Sequence, residues 1–150
     1  HLLLDPPSAR AHEHVRGSLM VGGADVRLEH ADEGRVAVDR NRLPLHLALA
    51  GAEMTFLPAE WPHPRLSHWQ TLVRARAIEN QMFVFACNRV GRDASNEFFG
   101  HSMAVDAWGE VLAEGGEGEE LITLTADLSK VQEARRKIPI LQDRRPESYW

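Results

Sequence analysis

The residue best suited by type to covalent chemistry is Cys87, the single cysteine of this 150-residue chain. A thiolate is a strong nucleophile where a positive, partly exposed setting lowers its pKa. The neighbours of Cys87 supply the opposite. It lies in "MFVFACN" (82–88), where strand alternation puts Phe83, Phe85 and Cys87 on one face and Val84, Ala86 and Asn88 on the other. An apolar strand disfavours the charged form, and small buried cysteines are ordinary core residues. Cys87 therefore reads as a structural thiol.

The histidines raise a second possibility. "HEH" at 12–14, with His63 and His68, contains metal-ligand residue types, but the chain has no HExxH and no paired cysteines. No metal and no organic cofactor are expected. Glu13, between His12 and His14, is a carboxylate flanked by two hydrogen-bonding partners. A Ser-His-Asp arrangement lacks a GxSxG elbow, and "VGGADV" (21–26) lacks the strand-turn-helix spacing of a phosphate loop. "PAEWPHPR" (58–65) is more informative. A buried strand ends there, and prolines hold Glu60, Trp61 and Arg65 on an irregular path. Loops at the carboxyl ends of strands are where α/β folds place ligands. Trp61 offers an apolar wall, and Arg65 can grip a carboxylate with two parallel hydrogen bonds.

The elements that must position these residues are legible in outline. Residues 1–34 read as loop with short strands around Asp25–Leu28, and "RVAV" (35–38) as a short buried strand. "LPLHLALAGA" (43–52) reads as a helix with Pro44 in its first turn, and "MTFLP" (54–58) as a buried strand. Ser67 followed by Gln70 matches a capping box, and Leu66, Trp69, Val73 and Ala77 then share a helical face with Leu72 beside them. Further strands are predicted over 82–88, 101–107, 110–115 and 120–128, then a helix over 129–137 and an extended tail. This mixture predicts a single layered α/β domain with hairpins in its second half.

Composition narrows the function classes. A formal net charge of −5 argues against a nucleic-acid or anionic-membrane partner. No apolar run approaches the roughly 18–20 residues that span a bilayer. One cysteine excludes an internal disulfide framework, which fits a cytoplasmic protein.

Taken together, "LALAGAEMTFLPAEWPHPRLSHWQTLVRARAIENQMFVFACNRVGRD" and "NEFFGHSMAVDAWGEVLAE" strongly resemble the nitrilase superfamily of carbon–nitrogen hydrolases. Within it the likeness is to omega-amidases, including 2-oxoglutaramate amidases. The match continues in "DLSKVQEARRKIPILQDRRPESY" and covers nearly the whole chain. The resemblance implies an αββα sandwich, of which this chain would carry the C-terminal part. It also implies dimerisation through helices and hydrolysis of a small amide by a Cys-Glu-Lys triad supported by a second Glu. A thiolate attacks the amide carbon, Glu moves protons, Lys stabilises the oxyanion, and water releases the acid from the thioester.

Carried over residue by residue, the likeness breaks at the nucleophile. The family's cysteine follows a buried strand in a pattern like "GRVAVMICYDxRFPE", whereas this chain reads "GRVAVDRNRLPLHLALAGAE" from Gly34. The strand and "DRN" (39–41) correspond, the "ICY" is absent, and "FPE" is reduced to Arg42-Leu43-Pro44. The resemblance implies that the triad's lysine and first glutamate lie before His1, so that the N-terminal half is missing. It identifies Glu13 as the supporting glutamate. The expectation is an amidase-type chain, inactive alone, with Glu13, Glu60, Trp61 and Arg65 facing a small amide or dicarboxylate. The rival expectation is a non-catalytic remnant that dimerises or binds a small ligand. Self-association is expected through the helix near 66–80, with Trp69, Leu72 and Val73 as the buried surface.

Overall fold

The computed structural model describes residues 44–148 in full, together with the backbone of three preceding strands. These are β1 (His14–Met20), β2 (Arg27–Glu29) and β3 (Val36–Val38). They are followed by α1 (Pro44–Leu49), β4 (Met54–Ala59), α2 (Leu66–Asn80) and β5 (Phe83–Asn88). A short hairpin, β6 (Val90–Arg92) and β7 (Glu97–Phe99), precedes β8 (Met103–Val105) and β9 (Val111–Glu114). The chain closes with β10 (Leu121–Asp127), α3 (Ser129–Lys137) and a single 3₁₀ turn at Pro146–Ser148.

Two sheets dominate. The first has the order β3-β4-β5-β8-β9, with β3, β4 and β5 parallel and β8 and β9 antiparallel to their neighbours. The second is antiparallel, in the order β10-β1-β2. The runs 54–59 and 83–88 are almost continuously apolar because each strand is covered on both faces. On one face Met54, Phe56, Phe83 and Phe85 pack with Ala126 of β10 and with Leu128, Val131 and Ala134 of the α3 segment. On the other, Val84, Ala86, Met103 and Val105 pack against Trp69, Val73 and Ala77 of α2. The layers run helix, five-stranded sheet, then β10-β1-β2 with α3 beside it. The described residues thus form part of an αββα sandwich.

Several sequence expectations meet a different outcome. The capping box does not form: Arg65 occupies the N-cap of α2 without a side-chain cap bond. Gln70 instead donates Nε2 to Glu114 Oε1 at 2.7 Å, a partner 44 residues away. Trp69 and Val73 are each only 1% exposed, because they are buried against the chain's own sheet. They are unavailable to a partner subunit, and Leu72, at 41% exposure, lies off that face. The tail after Ile138 contains turns and the 3₁₀ segment rather than a continuous extended strand. The hairpin β6–β7, which the apolar pattern did not predict, is closed by Asp93. Its Oδ1 accepts the Ser95 and Asn96 N–H groups, each at 2.8 Å, and these bonds hold the carboxyl below its usual range.

Candidate functional site

The parallel strands fix where the candidate residues meet. β4 and β5 end in register, Ala59 opposite Asn88. β8 begins at this end, Met103 opposite Ala86, and β9 finishes there, with Glu114 opposite Met103. The segments 60–65, 89–102 and 115–116 therefore gather at the carboxyl end of the parallel strands.

The loop after β4 is held at both ends. Pro62 bridges to Phe98 of β7, and the His63 N–H donates to the Glu97 carbonyl at 2.9 Å. The His63–Pro64 peptide is cis. The Trp61 ring lies 5.8 Å from the buried Trp69 ring, and the Arg65 guanidinium stands 5.6 Å over Trp61. Cation and ring face each other at a distance where the ring quadrupole attracts the charge. Among the described residues Arg65 makes no ion pair, so it offers an exposed cation beside an aromatic wall.

Glu60 points to a different partner. Its carboxylate lies 3.5 Å from the Arg89 guanidinium, which also approaches Asp93 at 3.9 Å and stacks 4.4 Å over the Phe98 ring. Glu60 is 69% exposed in its side chain, so the pair adds little stability. Arg89 is a second cation at this end of the sheet. Trp61 and Arg65 are thus in contact, whereas Glu60 is tied to Arg89. Glu13 and His12 lie outside the described residues, as do Asp39 to Leu43.

Beneath the loop is a polar cluster that the residue types alone did not single out. Asn88, 1% exposed, accepts the Trp61 N–H on Oδ1 at 2.6 Å. Its Nδ2 donates to the Trp61 carbonyl at 3.1 Å and to the Gly100 carbonyl at 2.9 Å. The Asn88 N–H donates to Ser102 Oγ at 2.9 Å, and that hydroxyl returns a bond to the Asn88 carbonyl at 3.3 Å. The available signal was an asparagine on the apolar face of a buried strand, since such a group must find partners. Nearby, Trp69 Nε1 donates to the His101 carbonyl at 2.7 Å, and His101 Nδ1 lies 2.9 Å from Glu114 Oε1.

Cys87 sits on the opposite face of β5, packed against the Phe56 and Phe85 cluster between the sheets. This is the facing that alternation predicted. Burial pushes its thiol pKa up, and a hydrogen bond with Ser102 offsets only part of that rise. The thiol at this position is held toward its neutral form.

Among the described residues no group of three His, Cys, Asp or Glu side chains is placed to hold a metal ion. No described helix is long and apolar enough to cross a membrane.

The sequence profile described as "Carbon-nitrogen hydrolase" matches residues 19–136. The chain is 52% identical over 99 residues to the 2-oxoglutaramate amidase of Bacillus subtilis (strain 168), covering 66% of this chain and 38% of that protein. It is 42% identical over 109 residues to the deaminated glutathione amidase of Mus musculus, covering 71% of this chain and 34% of that one. In structure it resembles Saccharomyces cerevisiae Nit3, a member of branch 10 of the nitrilase superfamily. The TM-score is 0.63 at 32% identity, over 73% of this chain and 43% of that chain. The chain spans less than half the length of each of these proteins.

Proposed function

This chain belongs to the carbon–nitrogen hydrolase family and resembles its omega-amidases, and from that premise we propose that it carries the ligand-positioning part of an omega-amidase-like enzyme. The substrate class is a small omega-amide of a dicarboxylic acid, hydrolysed by the whole enzyme to the acid and ammonia. In this reading the free carboxylate of the substrate pairs with Arg65 while its short carbon chain lies against Trp61. The observation that carries the proposal is the exposed Arg65 guanidinium stacked over Trp61 at the carboxyl end of the parallel strands, 5.6 Å from the ring. A planar guanidinium suits bidentate recognition of a carboxylate better than an ammonium does.

We propose further that the 150-residue chain binds such ligands but does not hydrolyse them by itself. Covalent amide hydrolysis needs a thiol whose charged form is favoured and whose sulfur faces the ligand. Cys87 is half-buried, packed against the cluster between the two sheets, with its pKa raised by burial. The substrate-binding loop contacts the other face of β5, through Trp61 and the Asn88 side chain.

Titration with a small dicarboxylate such as glutarate, or with an omega-amide, tests the pocket. Binding beside Trp61 is expected to change tryptophan fluorescence, and Arg65→Ala is expected to weaken the response by roughly tenfold or more, the effect of losing one charge-assisted contact. An unchanged titration in Arg65→Ala contradicts the assignment.

A further inference from the structure

The Trp61 peptide is gripped in a way that ordinary packing does not require. Asn88 lies on β5 and Trp61 lies 27 residues earlier, yet one carboxamide satisfies both the N–H and the carbonyl of Trp61. Its second amide hydrogen reaches Gly100, at the turn between β7 and β8. Three partners use one acceptor and two donors of a single planar group. The one donor and two carbonyls also fix which way the amide faces, since the flipped orientation would oppose like groups at all three contacts.

Few side chains can replace it. Aspartate has the same shape but presents an oxygen where Nδ2 now donates, bringing it against the Trp61 and Gly100 carbonyls. Leucine fills similar volume with no polar atom, which leaves the Trp61 N–H and carbonyl and the Gly100 carbonyl without these bonds. Glutamine carries the same groups one methylene too far. The Gly100 side of the clamp is equally tight. Gly100 has φ +67°, and a Cβ there would stand 2.6 Å from the Gly116 carbonyl oxygen and 2.7 Å from Val90 Cγ1. The backbone that receives the Asn88 amide has little room to move.

We propose that Asn88 is the positioning residue of the ligand pocket. Its carboxamide sets the orientation of the Trp61 peptide and so holds the aromatic wall on which Arg65 stacks. Asn88 itself contacts no ligand and acts through the loop. Ser102 supports it by bonding both the backbone N–H and the carbonyl of Asn88. The loop is therefore preorganised, and binding does not have to order it. Glu60, Trp61 and Arg65 supply the surface, while the strand beneath determines where that surface stands.

The ligand arm of the test rests on the pocket reading above, whereas the exchange arm does not. In hydrogen exchange followed by NMR, the Trp61 amide of the wild-type chain is expected to be protected although its loop lies at the surface. Asn88→Ala should accelerate that amide by roughly tenfold, the worth of one hydrogen bond, while amides of α2 and β4 keep their protection. In Asn88→Asp the added charge should release the same loop at pH 7. Acidification should restore it in part, because a neutral carboxyl offers one acceptor and one donor again. Glutarate titration of the same variants should show a weakened fluorescence response in step with the loss of Trp61 protection. If wild type shows no response to glutarate, the pocket reading fails while the exchange result still decides the clamp. Unchanged Trp61 protection in Asn88→Ala overturns the proposal. So does a global loss of protection in both variants, which would make Asn88 a residue of general stability rather than of loop placement.

Discussion

Trp69 should hold α2 to its own sheet, and replacing it should be costly in a way that does not depend on protein concentration. The residue is 1% exposed, faces the Trp61 and Phe99 rings at 5.8 and 6.5 Å, and donates to the His101 carbonyl at 2.7 Å. Truncating a buried Trp to Ala costs about 3–5 kcal/mol. An unpaired carbonyl adds about 1 kcal/mol or more. That sum rivals the whole stability of a typical domain, about 5–15 kcal/mol. Trp69→Phe is the graded perturbation: it keeps most of the apolar area but leaves the His101 carbonyl without its indole partner, at about 1–3 kcal/mol. At roughly 2–4 °C per kcal/mol for a chain of this length, the melting midpoint should fall by about 2–12 °C. Leu72→Ala, at a position 41% exposed, should cost less than about 1 kcal/mol. The assay is thermal unfolding followed by circular dichroism at several protein concentrations. A midpoint that shifts with concentration selectively in the Trp69 variants would place this residue in a subunit interface. That result, or a larger loss for Leu72→Ala than for Trp69→Phe, refutes the packing argument.

The thiol and the β7–β8 turn provide two further tests. Burial raises the Cys87 pKa above its ordinary value of 9.0, so the folded state holds this proton more tightly than the unfolded state does. Its contribution to stability is complete below about pH 9 and is lost as pH rises toward the folded pKa. Iodoacetamide should accordingly alkylate the folded chain more slowly at pH 8 than the urea-unfolded chain, and faster alkylation when folded would mark an activated thiol. Gly100→Ala should lower stability by about 1–3 kcal/mol, since it combines φ +67° with a Cβ 2.6 Å from the Gly116 oxygen. A thermal melt indistinguishable from wild type would show that the turn relaxes freely.

Where local pattern carries the information, the sequence was a good guide. The helix over 129–137 appears with those bounds, ending just before Pro139, and the alternation of Phe83, Phe85 and Cys87 gave the correct face of β5. The failures arise where a distant partner wins. Gln70 could cap its own helix, but Glu114 from β9 offers its side chain a bond that sequence spacing does not reveal. Strands of three residues, such as Val90–Arg92 and Glu97–Phe99, are too short to show a period. Leu72 neighbours the apolar face of α2, and its exposure depends on how the helix is rolled against the sheet. Trp61 and Arg65 are candidates on residue type and the proline-bounded loop alone. The hydrogen bonds of Asn88 require the register that sets Ala59 opposite it and the fold that returns Gly100 and Ser102 to the same point.

We propose that this family member, as the 150-residue chain, binds small carboxylate ligands without hydrolysing amides, because its one thiol is half-buried against the core between the sheets. The most direct test is ammonia release from an omega-amide by the purified chain and by its Cys87→Ser variant. Losing an activated nucleophile typically removes several orders of magnitude in rate, and binding groups recover only part of it. Both proteins should therefore release ammonia at the rate of the buffer alone. Turnover by the parent chain that disappears in Cys87→Ser would contradict the account and make Cys87 the nucleophile.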